Sequence, residues 1–305
     1  MNKNILGSYK NGNYYVTLFE DGTKIRFNNE NYMRADRPES IDINISNKCD
    51  NGCAFCYQKC VPDGAIADFT SPLFDSIPPY TEIALNGNGI FDDISFDTFL
   101  LKMSRKKVIC NLTVHINDFI KHCSDLHYYI DHGWIHGIGV SINEPIGDGV
   151  ISYLKQFPNI VIHVVAGVVP WETLVKLSNN GLKLLILGYK DYGRGTTYLE
   201  NHNEVRANIN KLKEQIGYLY KHFKVVSFDN LALEQLDIRN TVDEETWEKS
   251  YMGEDGSATF FIDAVANTYA RSSLSERIPI DVSDVNVLFK RIQNNWLNVK
   301  IMLYF

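Results

Sequence analysis

The amino-acid sequence predicts an α/β protein, a partial (β/α)6 TIM-like barrel with an N-terminal β-hairpin and a C-terminal α+β extension. Two patterns support this fold class. Short runs typical of strands alternate with helical periodicities through the middle of the chain. Within these strands one face is apolar and the other is polar, whereas the strands of a doubly wound sheet are apolar on both faces. A curved parallel sheet with helices outside and a polar interior fits this alternation.

The strand–helix rhythm defines six units. Strands are predicted at 40–46, 82–86, 108–115, 137–143, 159–167 and 182–188, and helices at 54–60, 96–106, 117–132, 150–156, 170–179 and 203–222. A complete barrel of this type needs about eight units. The sequence therefore predicts an open barrel, and the gap would admit a large substrate.

Both flanks of the barrel carry their own elements. Residues 13–28 alternate around Asp21–Gly22 and predict a hairpin that covers the main domain. After the barrel, a short strand (225–229), a helix capped at Thr241, a second hairpin (257–272) and a last helix (284–296) are expected. We place the N-terminal hairpin extension at 1–38, the barrel at 39–225, and an extension that closes one side of the barrel at 226–305.

The charge and hydropathy of the chain argue against two classes of protein, nucleic-acid-binding and membrane-spanning. The chain has 305 residues and a net charge of −7, and its basic residues form no long cluster. Gripping a nucleic-acid backbone needs many Lys and Arg contacts, so no direct nucleic-acid binding is expected. No stretch reaches the roughly 20 apolar residues of a membrane span, and the N-terminus does not resemble a signal peptide. The sequence predicts a cytoplasmic protein without a membrane partner, whose six cysteines are reduced thiols or metal ligands.

Three of these cysteines form a short motif. Cys49, Cys53 and Cys56 lie in the loop that follows the first predicted barrel strand, so their thiolates can converge. Three thiolates can hold three irons of a [4Fe–4S] cluster and leave the fourth iron open. The alternative is a zinc site with Cys60 as fourth ligand, but zinc sites more often pair two short Cys-x2-Cys knuckles. The spacing favours the cluster.

This Cys-x3-Cys-x2-Cys loop resembles that of the radical S-adenosylmethionine (SAM) superfamily, and the resemblance covers about residues 40–225. Phe55 matches an aromatic residue before the third cysteine. Residues 86–89 (Asn-Gly-Asn-Gly) stand where that family has a glycine-rich loop, often Gly-Gly-Glu, although the acidic residue is absent here. The resemblance implies one [4Fe–4S] cluster on the three cysteines, SAM as cofactor, and an electron donor such as flavodoxin or ferredoxin. It implies these SAM contacts: Phe55, Tyr57, Asn86, Gly87, Asn88, Gly89, Ser141, Asn143 and Gly167.

Polar residues on the inner face of the strands, or after them, are the candidates for substrate contact. They are Asn44, Ser46, Asn111, His115, His163, Tyr189 and Asp229, with Lys190 and Asp191 beside them. His115 and His163 are predicted to move a proton after the radical step. Asp229 would pair with the N–H edge of a purine-like base. For each residue the alternative is a satisfied buried polar group or a solvated loop residue.

The size and overall pattern of the chain are similar to those of queuine lyases. That resemblance implies C–N cleavage of queuine, a small-molecule substrate, to 7-aminomethyl-7-deazaguanine in queuosine salvage. One alternative is a peptide-modifying radical SAM enzyme, an epimerase or cross-linking enzyme, with Cys110 as hydrogen donor. Another is a non-catalytic zinc-binding module. No cysteine follows Cys123, so a second cluster held by cysteines in the C-terminal extension is excluded.

Overall fold

The computed structural model describes residues 4–30 and 32–303, with side chains through residue 294. Its main feature is a ten-stranded sheet in the order β10-β9-β8-β7-β6-β5-β4-β11-β12-β13. The strands are β4 (Ser40–Asn44), β5 (Glu82–Asn86), β6 (Ile109–His115), β7 (Gly137–Ser141), β8 (Ile160–Val165), β9 (Lys183–Leu187), β10 (Val225–Phe228), β11 (Thr259–Asp263), β12 (Thr268–Ala270) and β13 (Ile278–Pro279). Neighbouring strands from β10 to β11 are parallel, and β12 and β13 add antiparallel pairs.

The six predicted barrel strands are all present, and the sheet extends beyond them on both sides. β10 pairs with β9, and β11 pairs in parallel with β4. Both strands come from the part of the chain that was predicted to be an extension. The sheet therefore continues across the predicted boundary at residue 225, and β11 and β12 form the predicted second hairpin.

Helices connect the strands. They are α1 (Pro72–Asp75), α2 (Ile94–Arg105), α3 (Ile116–Lys121), α4 (Cys123–Asp131), α5 (Val150–Leu154), α6 (Trp171–Leu177), α7 (Arg194–Asn201), α8 (Glu204–His222), α9 (Asn230–Gln235), a 3-10 turn (Ile238–Thr241), α10 (Glu244–Ser250) and α11 (Val285–Leu303). Among the described residues, no helix is long and apolar enough to cross a membrane.

Three helix predictions were wrong in detail. Residues 54–60 form turns instead of a helix, because Lys59 has a positive φ of 56° and the local hydrogen bonds close single turns. The predicted helix 117–132 is two helices, since the backbone leaves helical geometry at His122. The helix predicted from Thr241 begins after Asp243, whose carboxylate accepts from the N–H of Thr246 and caps it.

The two faces of the sheet differ, although the inner face is less polar than predicted. Outward residues such as Ile83, Leu112 and Ile162 are fully buried against the helices. Inward residues line open space, which we call the lumen. Part of it is a cavity of about 330 Å³ bordered by Ala84, Asn111, Thr113, Gly139, Val161 and His163. The lumen is thus lined by polar and apolar residues together, whereas the core between sheet and helices is apolar.

The predicted hairpin belongs to a separate three-stranded sheet, β1 (Ile5–Asn11), β2 (Tyr14–Phe19) and β3 (Lys24–Phe27). It contacts the end of the barrel at which the parallel strands begin. Glu39, fully buried, accepts from Tyr14 and from Arg26 Nε at 3.0 Å. The turn of the β2–β3 hairpin borders the cavity, and Lys183 Nζ donates to the carbonyl of Asp21 at 2.9 Å. The small sheet therefore closes the amino end of the lumen.

Candidate functional site

The cysteine motif lies in an irregular loop after β4, at the carboxyl end of the barrel. Isolated bridges join Ser46 to Ile66 and Lys48 to Val61, so the loop returns along its own stem. The N–H of Cys49 donates to the carbonyl of Val61 at 2.8 Å. This pairing holds the motif at the opposite end of the lumen from the N-terminal sheet.

The three thiols of the motif are half-buried and act on one another electrostatically. Burial is the main reason that the pKa of Cys53 rises to about 11, and Cys49 and Cys56 add to the rise. Cys60 hydrogen-bonds to Cys56, which lowers the pKa of Cys56 and raises that of Cys60. Among the described residues, no three His, Cys, Asp or Glu side chains converge on a point that one metal ion could occupy.

The loop of residues 86–89 packs directly against the cysteine loop. A Cβ on Gly87 would lie 3.0 Å from Ser46 Cβ, and one on Gly89 would lie 3.0 Å from the carbonyl oxygen of Lys48. Gly89 also has a positive φ of 68°, which glycine adopts without strain. The two glycines therefore allow close approach of the two loops.

Asn88 joins three parts of the site. Its Oδ1 accepts from the N–H of His115 at 3.0 Å, its Nδ2 lies 3.6 Å from the sulfur of Cys49, and its carbonyl accepts from Ser46 Oγ at 2.9 Å. The neighbouring Asn86 has a buried Oδ1 with no donor among the described residues. An unsatisfied buried acceptor of this kind is uncommon in proteins. Asn86 is therefore a candidate ligand contact.

Helix α7 forms another wall of the cysteine loop. The N–H of Arg194 donates to the carbonyl of Cys56 at 3.1 Å, and the buried Nε of Arg194 has no partner in the described part of the chain. The rings of Phe55 and Tyr198 meet edge to face with centroids 5.9 Å apart. The sequence reasoning missed Arg194, although the Gly-Arg-Gly of residues 193–195 after a strand was an available signal.

Tyr57 contacts a cation at the same wall. Lys190 Nζ lies 4.1 Å from the centre of the Tyr57 ring, and it donates to Ser273 Oγ at 2.8 Å. This contact brings together the cysteine loop, the segment after β9 and the turn after β12. A cation thereby lies over an aromatic residue of the motif.

Three residues predicted from the resemblance to contact SAM lie farther along the same end of the barrel. Ser141 ends β7. The Oδ1 of Asn143 accepts from the N–H of Val165 at 2.6 Å, which occupies that atom within the fold. A Cβ on Gly167 would lie 2.7 Å from the carbonyl oxygen of Val205, so this glycine lets α8 approach. Asn143 and Gly167 therefore have structural roles that the sequence did not reveal.

Two of the predicted substrate contacts face the cavity. Asn111 and His163 both border it, and neither side chain forms a hydrogen bond with another described residue. Burial lowers the pKa of His163 to about 4, so its imidazole is neutral at physiological pH. Its ring lies over Gly139, where a Cβ would come within 2.3 Å of Cε1. These side chains remain available to a bound molecule.

Other predicted contacts are engaged by the protein itself. Ser46 bonds to Asn88, as described above. The hydroxyl of Tyr189 donates to the carbonyl of Gly195 at 2.6 Å. Asp229 Oδ1 accepts from the N–H groups of Gly188 and Ala232, so this carboxylate caps α9.

His115 Nδ1 accepts from the N–H of Asn117 and caps α3, which leaves Nε2 free of that bond.

The expectation for Cys110 is not supported by its position. Its side chain is fully buried on the face of β6 that packs against the helices, while Asn111 and Thr113 face the lumen. Successive side chains of a strand point to opposite faces, so Cys110 cannot reach a molecule in the lumen without rearrangement. Cys110 is a residue of the packed core.

Comparison with known proteins finds similar folds among solved structures only. No protein-family model and no curated protein matches the sequence. Among solved structures, Streptococcus suis SuiB bound to the precursor peptide SuiA aligns with a TM-score of 0.55 at 10% identity, over 84% of this chain. SuiB bound to S-adenosylmethionine aligns with a TM-score of 0.56 at 12% identity, over 83% of this chain.

The chain shares its fold with SuiB. This chain covers 65% of the SuiB chain in the peptide complex and 66% in the S-adenosylmethionine complex. The likeness confirms the predicted α/β partial barrel. At this level of sequence identity the likeness to SuiB is evidence for the fold only. The reaction and the substrate must therefore be argued from the residues of the site.

Proposed function

We propose that this chain is a radical SAM enzyme that acts at the carboxyl end of its partial barrel. The observation that carries the proposal is the packing of the Cys49–Cys56 loop against the Asn-Gly-Asn-Gly loop, at the end of the parallel strands. Support also comes from the likeness to SuiB, a protein of the same fold captured with S-adenosylmethionine.

Cys49, Cys53 and Cys56 would hold three irons of a [4Fe–4S] cluster. The partial exposure of their thiols and their mutual electrostatic influence fit this role. When bound, the cluster and SAM would together supply a 5′-deoxyadenosyl radical that abstracts hydrogen from the substrate. Arg194 and the amide of Asn88 lie beside the thiolates and would stabilise the negative charge there.

Asn86 and the main chain of the glycine-rich loop would bind the methionine end of SAM. The Oδ1 of Asn86 needs a donor, and the ammonium group of SAM offers one. Ser141, at the end of β7, is placed for a hydroxyl of the ribose. These residues hold and orient the cofactor, while the chemistry belongs to the cofactor.

The lumen would exclude water from the reacting centre. The N-terminal sheet closes its amino end, and in the turn before β11 Asp255 Oδ1 accepts from Asn230 Nδ2, which follows β10, at 2.7 Å. The neutral imidazole of His163 and the amide of Asn111 would contact the substrate. His163 in its neutral form can accept a proton that leaves the substrate.

We propose a peptide as the substrate, supported by the likeness to SuiB in complex with a precursor peptide. Queuine, cleaved at its C–N bond by a lyase reaction, is the second candidate, and the cavity of about 330 Å³ fits a molecule of that size. The two candidate substrates differ in what must enter the barrel. A peptide would insert one side chain, whereas queuine would enter as a whole molecule.

Anaerobic reconstitution tests the class of enzyme. We expect a brown protein with about four irons per chain, and release of 5′-deoxyadenosine on addition of dithionite and SAM. Stoichiometric zinc without iron uptake would contradict the proposal. Replacement of dithionite by reduced flavodoxin or ferredoxin then tests the expected electron donor.

Mass spectrometry tests the substrate. The reconstituted enzyme is incubated with queuine in one arm and with a pool of synthetic peptides in the other. Formation of 7-aminomethyl-7-deazaguanine would establish the lyase. A mass change in a peptide, dependent on SAM and on Cys53, would establish peptide modification.

A further inference from the structure

Asp42 lies in the lumen without a partner. It occupies an inward position of β4, and its register neighbours are Ala84 on β5 and Phe261 on β11, which carry no hydrogen-bonding side chain. Many protein atoms lie near it, yet its side chain is exposed to the open space of the lumen, and none of the described residues forms a hydrogen bond or ion pair with it. Its carboxylate is therefore accessible to a molecule that enters the lumen.

The charges around Asp42 are mostly negative. Asp229 and Asp255 act on Asp42 electrostatically, and Lys190 is the one cation that does so among the described residues. Lys190 is already engaged by Ser273 and by the Tyr57 ring. Partial desolvation by the nearby protein atoms is the main reason that the pKa of Asp42 rises to about 6, which still leaves it largely ionised at neutral pH. This part of the lumen therefore attracts a cation.

A second acceptor lies two residues along the same face of β4. Asn44 is 1% exposed, its Nδ2 donates to Asn47 and Asp263, and its Oδ1 has no donor in the described chain. Since side chains at i and i+2 of a strand share a face, Asn44 and Asp42 are aligned toward the same space. Both present acceptor oxygens that receive no hydrogen bond from the described residues, and such a pair suits a ligand that carries N–H groups.

We infer that Asp42 and Asn44 bind a protonated amine or guanidinium of the substrate, and that Asp42 selects the substrate by charge. The inference rests on the proposed function, since it takes the lumen as the substrate site. A lysine or arginine side chain of a peptide and the secondary ammonium of queuine share this chemistry.

Binding of defined probes to the full-length protein tests the inference. The probes are N-acetyl-lysine methylamide, its neutral analogue with norleucine, and queuine, each observed by saturation-transfer NMR. We expect saturation of the lysine probe, of queuine, or of both, and none of the norleucine probe. The stronger of the two cations identifies the source of the ammonium group.

Asp42→Asn should weaken binding of the cation at least tenfold, and Asp281→Asn, at an exposed aspartate paired with Arg291, should not. Thermal unfolding of each variant checks that it still folds. The comparison of the lysine probe with the norleucine probe uses the wild-type protein, so it does not depend on any variant. Equal binding of norleucine, unchanged binding by Asp42→Asn, or no cation bound by the wild type would each overturn the inference. Because binding requires neither iron nor SAM cleavage, failure here is separate from failure of the proposed enzyme class.

Discussion

The main-chain N–H of Arg194 donates to the carbonyl oxygen of Cys56 over 3.1 Å, and this bond joins α7 to the loop that carries the three cysteines. The contact depends on Gly193, whose φ of +63° and ψ of −128° suit glycine alone. A Cβ at this position would lie 2.1 Å from the carbonyl oxygen of Tyr57. The cysteine loop is therefore shaped by a segment more than a hundred residues away in sequence.

Gly193→Ala should push α7 away from the cysteine loop. We expect a loss of about 1–3 kcal/mol in unfolding free energy and reduced iron content after reconstitution, because the loop no longer has its support. Urea denaturation and iron analysis measure the two effects. Gly217→Ala is the control, since Gly217 lies inside α8 with open space around it, and this change should stabilise by about 0.5–1 kcal/mol. Full iron loading of Gly193→Ala would contradict this role.

Cys60 should be dispensable for metal binding. It hydrogen-bonds to Cys56 but lies outside the three-cysteine motif, so Cys60→Ser should keep the iron content of the wild type. Cys56→Ser should lose most of it, and Cys123→Ser serves as a second control. Loss of metal in Cys60→Ser equal to that in Cys56→Ser would instead favour a site with four thiolates.

His163 should make stability depend on pH. Its folded-state pKa of about 4 lies below the ordinary value of 6.5, so between these values the unfolded chain binds a proton that the folded chain does not. Stability should fall as pH drops from about 6.5 to 4, by up to about 3 kcal/mol. The measurement is the difference in unfolding free energy between wild type and His163→Gln at several pH values, in which the opposite contribution of Asp42 cancels. A difference that does not change with pH would contradict the burial of a neutral imidazole.

Glu39 should anchor the N-terminal sheet. Its buried carboxylate meets Arg26 at 3.0 Å and Lys24 at 3.5 Å. Glu39→Gln removes the carboxylate that Arg26 faces, while Lys24 keeps its pair with Glu82, and breaking a buried pair typically costs about 3–5 kcal/mol. Hydrogen exchange of the amides in β2 and β3 should accelerate with it. The control Glu245→Gln removes an exposed i,i+4 pair with Lys249 and should change stability by less than about 0.5 kcal/mol; an equal effect of both changes would contradict the anchor.

The fold followed largely from local patterns. The alternation of apolar and polar residues predicted every strand from β4 to β9 to within a few residues, because a half-buried strand repeats every two residues. The same alternation predicted that Asn111, Thr113 and His163 face the lumen, but not the apolar residues that line it beside them. The failures were local: residues 54–60 have helical composition, but the turns of the cysteine loop exclude a helix.

The sequence likewise predicted one part of the candidate site and not the other. Spacing along the chain determined the cysteine motif and the glycine-rich loop, because both lie within a few residues of strands that the pattern predicts. Only the tertiary structure decided which polar side chains stay free. Tyr189 and Asp229 form bonds within the fold, whereas Asp42 and Asn44 keep acceptors without donors. Such partners come from distant segments, and so the sequence alone could identify the loop but not the side chains that face the substrate.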